Sequence, residues 1–114
     1  MAFYLLQAAY NTDGWKGLIA HPQDRMEAIK PALEQLDGTV VGGWLAFGEY
    51  DIVAIVELPT NVSAAAFSMA LGAGGTIKAV QTTPLMTMDE AMTAMELAAE
   101  SAYAPATESA TVRA

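Results

Sequence analysis

The chain has 114 residues, 54% of them apolar, with 13 acidic and five basic side chains, a formal net charge of −8 and no cysteine. Such a length makes one domain with a single core, and the acidic balance excludes a nucleic-acid binder that neutralises phosphates and any electrostatic hold on an anionic membrane. The missing thiols exclude disulfides, thiolate nucleophiles and zinc–thiolate sites.

An apolar share this high predicts that some surface is buried against a partner. No basic leader is present, and Phe3 to Leu6 is too short for a signal or spanning segment, so a cytoplasmic protein is predicted. The single histidine, His21, makes no metal site alone. No phosphate-binding loop, dinucleotide fingerprint, nucleophile elbow or HExxH motif occurs, and no cofactor or metal is expected.

In chain order, Phe3 to Tyr10 reads as a strand apolar on both faces and stopped by a dense turn signal, Asn11-Thr12-Asp13-Gly14. Trp15 to Ala20 reads as a short helical turn. Pro22 suits the first position of a helix, and Met26, Ile29, Leu33 and Leu36 follow at spacings of three, four and three, one stripe of a 3.6-residue period. Pro31 bends that helix, and Asp37-Gly38 ends it.

Thr39 to Phe47 reads as a second strand in which Gly42-Gly43 marks a bulge or a close backbone approach. A tight turn at Gly48-Glu49 leads to a third strand, Asp51 to Leu58, closed by Pro59. Asn61 caps an alanine-rich helix from Val62 to Leu71, apolar around most of its circumference and expected to be covered on more than one side. Thr76 to Thr83 reads as a fourth strand stopped by Pro84. A last helix from Asp89 carries Met88, Met92, Met95 and Ala99 on one face, a packed apolar stripe and not a soft-metal site.

The order β-α-β-β-α-β is that of the ferredoxin-like split fold. Right-handed crossovers put both long helices on one face of a four-stranded antiparallel sheet. The other face is left bare although the strands are apolar on both sides, which predicts sheet-to-sheet packing of two copies. The domain is placed at residues 1–103, with residues 104–114, rich in Pro, Thr, Ser and Ala, as a disordered tail.

The run Phe47-Gly48-Glu49-Tyr50-Asp51-Ile52-Val53-Ala54-Ile55-Val56 resembles the signature of the GYD domain family, with Gly48, Tyr50 and Asp51 at its named positions. Further similarity lies in Asn61 to Ala66, in Ala73-Gly74-Gly75 and in Lys78 to Leu85, and upstream in Asn11-Thr12-Asp13-Gly14 and Pro22 to Gly38, so the resemblance covers roughly Phe3 to Leu97. It implies a dimeric α+β barrel and imports no particular reaction.

Candidate functional residues gather near the strand ends. Asp51, at the mouth of an apolar strand, is a candidate general acid or base, or a carboxylate that accepts backbone N–H groups in the hairpin turn. His21 is a second candidate proton carrier, or a cap or exposed loop residue. Tyr10, Trp15, Trp44 and Tyr50 are candidate walls for a small apolar or aromatic organic molecule held between sheet and helices, with core or interface packing as the plainer role. Regular strand geometry puts Tyr50 and Asp51 on opposite faces, so only one of them points into a given pocket. The two functional readings are a homo-oligomeric binder with cofactor-independent acid–base chemistry at Asp51 or His21, and a non-catalytic scaffold or sensor in which Tyr50 and Asp51 lock the hairpin.

Overall fold

A computed structural model of the chain describes residues 1–106. Four strands and four helices follow in the order β1 (Ala2–Tyr10), α1 (Thr12–Ala20), α2 (Arg25–Gln35), β2 (Thr39–Leu45), β3 (Ile52–Leu58), α3 (Asn61–Ala73), β4 (Ile77–Leu85) and α4 (Met88–Ala99). The strands form one antiparallel sheet in the order β2-β3-β1-β4, the ferredoxin-like α+β arrangement with an added C-terminal helix.

Period-two alternation sorts the two central strands. Tyr4, Leu6 and Ala8 of β1 pair with Val56, Ala54 and Ile52 of β3, and all six are buried on the helix-covered face. Ile29 and Leu33 of α2 and Ala64 and Phe67 of α3 close over them. Tyr4 is fully buried and satisfies its polar end by donating from its hydroxyl to Asn61 Oδ1 at 2.8 Å, at the first residue of α3. A hydroxyl pair, Ser68 with Thr82 at 2.6 Å, fixes α3 to β4. The opposite face, with Phe3, Leu5, Val53, Ile55 and Leu85, is covered by no helix of the described chain and is at most half-buried.

The glycine pair in β2 accompanies the expected bulge, and its close neighbour is a side chain where a backbone was the alternative expected. The register slips between Val40 and Gly42, leaving Val41 as the bulged residue. A Cβ on Gly43 would stand 2.1 Å from the sulfur of Met26, so its absence lets α2 pack closely on β2.

Several boundaries differ from expectation. Asn11 begins a full helix where a turn was expected, because its side chain accepts from Gly14 N–H as an N-cap. The second helix starts at Arg25 and not at Pro22, since Asp24 caps it by accepting from Met26 and Glu27 N–H. Thr60, not Asn61, caps α3. That helix is also less enclosed than its composition suggested, since only Ala64 and Phe67 are buried and Val62 and Met69 lie open. Pro84 lies inside β4, an edge strand, where a residue without an N–H is tolerated. The Met-bearing stripe of α4 buries no residue, so the expected packing is not made among the described residues. Of the predicted tail, residues 104–106 have no regular structure and residues 107–114 lie outside the described residues.

The end of α2 shows which of two adjacent residues does which task. Gly38 N–H donates to Leu33 C=O and Asp37 N–H to Glu34 C=O, a Schellman closure. Its left-handed position is filled by Asp37, at φ 58°, and not by the glycine. Gly38 is needed for space, because a Cβ there would meet Glu57 O at 2.9 Å and Leu58 Cδ2 at 2.4 Å. Asp37→Gly is therefore expected to stabilise the fold by up to about 1 kcal/mol. Gly38→Ala should destabilise it by about 1–3 kcal/mol through overpacking. Urea denaturation of both variants checks the pair.

Candidate functional site

The corner where β1 meets α1 is held from two sides. Asn11 N–H donates to Thr76 C=O at 3.0 Å, and its side-chain amide donates to Gly75 C=O at 2.7 Å, tying the corner to the loop before β4. On the other side, Tyr10 N–H donates to Asp51 Oδ2 at 2.9 Å. The β1–β3 ladder ends at Ala8 opposite Ile52, and Asp51 carries it one bond further by offering a carboxylate where a strand would offer a carbonyl.

Asp51 uses its backbone as well. Its N–H donates to Ala8 C=O at 2.9 Å, and its C=O accepts from Ala46 N–H at 2.6 Å. The residue is 9% exposed, the only buried charged side chain among those described. It precedes β3, and the link between β2 and β3 is a loop from Ala46 to Asp51 in place of the expected tight turn at Gly48-Glu49. The carboxylate thus serves a distant strand rather than its own turn.

This corner aims the Tyr10 ring into a cleft between the helix-covered face, α1 and the start of α2. Tyr10 and Trp15 meet edge to face, with centroids 5.4 Å apart and planes at 68°. Leu18, Met26, Gly43, Leu45 and Ile52 complete an apolar basin of about 350 Å³, a size suited to a small organic molecule. Burial pushes the Tyr10 phenol above its ordinary pKa; the Arg25 guanidinium beside it pulls the other way.

The remaining predicted residues divide around this cleft. Trp44 borders it from β2, but its register opposite Val53 belongs to the bare face. The ring lies along the strand over Gly42 and is 59% exposed. His21 closes α1 as its C-cap, exposed, and lines a shallow neighbouring depression with Asp13, Arg25 and Thr76. Tyr50 is on the bare face, where its hydroxyl donates to Gln81 Oε1 at 2.9 Å beside Gln7 and Val53. Asp51 borders neither the cleft nor that depression. The structure therefore brings Tyr10, Trp15 and the edge of Trp44 together, with Asp51 beneath them as a support, and sets His21 and Tyr50 apart.

Arg25 is the cleft residue that sequence reasoning missed. A charged residue at the first position of a helix reads as solvated surface, and only the preceding Asp24 cap marks that it stands at a helix start facing β2. Among the described residues no three His, Asp or Glu side chains converge as a metal site. Among the same residues no helix is long and apolar enough to cross a membrane.

Sheet order, helix placement and a cleft at the strand ends define a small ferredoxin-like α+β protein. Within that class the model of the GYD domain matches residues 4–95, and the chain belongs to the GYD domain family. No curated protein matches it in sequence.

Asp51→Ala leaves the buried Tyr10 N–H without a partner and should cost about 1–3 kcal/mol. Asp51→Asn retains an acceptor and should cost less, so denaturation midpoints are expected to rank wild type, Asn, Ala. Tyr10 titrates above an ordinary tyrosine, so the folded state holds its proton more tightly than the unfolded chain. Its contribution is intact below the ordinary tyrosine pKa of about 10 and is lost as the pH rises beyond it. Melting temperatures from pH 8 to 11 should fall more steeply for the wild type than for Tyr10→Phe.

Proposed function

We propose that the protein is a cytoplasmic homo-oligomer that binds a small apolar or aromatic organic molecule in the cleft beneath α1 and α2. The observation that carries this is the Tyr10–Trp15 pair standing over an apolar basin with a polar rim, pre-formed by backbone bonds at Asn11 and Asp51. Such concave, mainly apolar sites with a few polar groups are where small ligands bind. Asp51 is already engaged with Tyr10 and does not border the basin, and His21 is beside it, which favours binding over turnover.

Assembly rests on two uncovered surfaces. One is the sheet face carrying Phe3, Leu5, Val53 and Ile55. The other is α4, in which Met88, Met92, Met95 and Leu97 are all exposed. A helix of 12 residues is marginal in water by itself. A second copy, bringing the same apolar face, is the partner that the composition supplies without a further protein.

The scaffold reading has its own support in the bonds of Asp51 and in the Tyr50–Gln81 contact, both of which brace the fold. A ligand screen separates the two. Thermal-shift measurements with single-ring and two-ring aromatic compounds are expected to find stabilisers of the wild type, with affinity reduced about tenfold in Trp15→Ala through loss of a ring contact. A screen with no stabiliser would leave the scaffold reading. Light scattering after size exclusion should show more than one copy for the wild type, and monomer for Ile55→Glu; a monomeric wild type at micromolar concentration overturns the assembly.

A further inference from the structure

The cleft wall holds a cation, Arg25, that forms no ion pair among the described residues, although Asp24 lines the same cleft. Arg25 lines the basin half-buried, and its recorded hydrogen bond is one from a guanidinium nitrogen to Gln23 Oε1 at 2.7 Å. The single ion pair among the described residues is Lys30 with Glu27, on the outer side of α2. Of the nearby carboxylates, Asp24 accepts from Met26 and Glu27 N–H as the cap of α2 and Asp51 accepts from Tyr10 N–H, while Asp13 shares the neighbouring depression with Arg25 and forms no ion pair with it.

We propose that the ligand of the cleft is an aromatic or branched apolar carboxylate, its ring against Trp15, Leu18, Met26 and Ile52 and its carboxylate paired with Arg25. This rests on the cleft being the binding site proposed above. The guanidinium fork matches the plane and spacing of a carboxylate. A single cation balances one negative charge; a phosphate would bring nearly two into a strongly acidic protein. The phenol of Tyr10 lies beside Arg25 and adds an O–H donor to the same end of the basin. The head group thus meets the donors of Arg25 and Tyr10, while the body of the ligand meets apolar walls.

The experiment compares 1-naphthylacetate with 1-naphthylacetamide, the same shape without the charge, by titration of the full chain followed in amide and arginine side-chain NMR spectra. The acid is expected to bind about tenfold or more tightly than the amide, as a charge-assisted pair does over a neutral one. That preference should shrink as salt is raised. Arg25→Gln should bring the two probes within about twofold, and Arg25→Lys should keep part of the difference. Equal or better binding of the amide by the wild type overturns the carboxylate reading and leaves the cleft standing. Binding of neither probe at millimolar concentration overturns both. If Arg25→Gln loses its folded spectrum, the salt dependence in the wild type decides: a preference unmoved by salt counts against the pairing.

Discussion

Asp51 joins three strands that the chain visits at different times. Its side chain and its N–H both bond the last residues of β1, at Tyr10 and Ala8, its carbonyl accepts from Ala46 just past β2, and the residue itself immediately precedes β3. A charged group is expensive to bury, and it is stable here because it accepts a backbone donor that would otherwise be orphaned at a strand end. The loop from Ala46 to Asp51 is thereby drawn against the sheet, and the β1–α1 corner is fixed at the height where the aromatic pair begins. The cleft depends on that corner, so the most chemically conspicuous residue of the chain acts through position.

Much of the fold was legible because burial enforces periodicity. The stripe through Ile29 and Leu33 and the apolar runs of β1 and β3 are what a sheet covered by helices requires. Where the reading slipped, two local signals competed. Asn11-Thr12-Asp13-Gly14 is equally good chemistry for a turn and for a helix start, and the distant acceptors at Gly75 and Thr76 decide between them. Pro84 looked like a terminator because position in the sheet is not written in sequence; on an edge strand its missing N–H is harmless.

The site was legible in its aromatics and not in its polarity. Tyr10 and Trp15 sit five residues apart across a strand end, close enough for local reasoning to group them. Trp44 and Tyr50 belong to segments whose facing is set by the bulge at Val41 and by the irregular loop before Asp51, and neither shift can be counted from residue spacing. Arg25 gains its place in the cleft from the packing of α2 on β2, in which Gly43 admits Met26. A single missing side chain on the sheet thus sets where a charge on the helix can stand.

The two outer strands bear on how molecules of this protein meet in a crowded solution. The β2 edge is interrupted by the bulge at Val41, while β4 contains Pro84 and slips register beside Tyr10. Neither edge presents an unbroken row of donors and acceptors to template another chain. Lateral growth into an extended cross-strand ribbon, the usual hazard of an apolar sheet, is blocked at both rims. An apolar face can then remain uncovered during synthesis without committing the chain to fibrous aggregation.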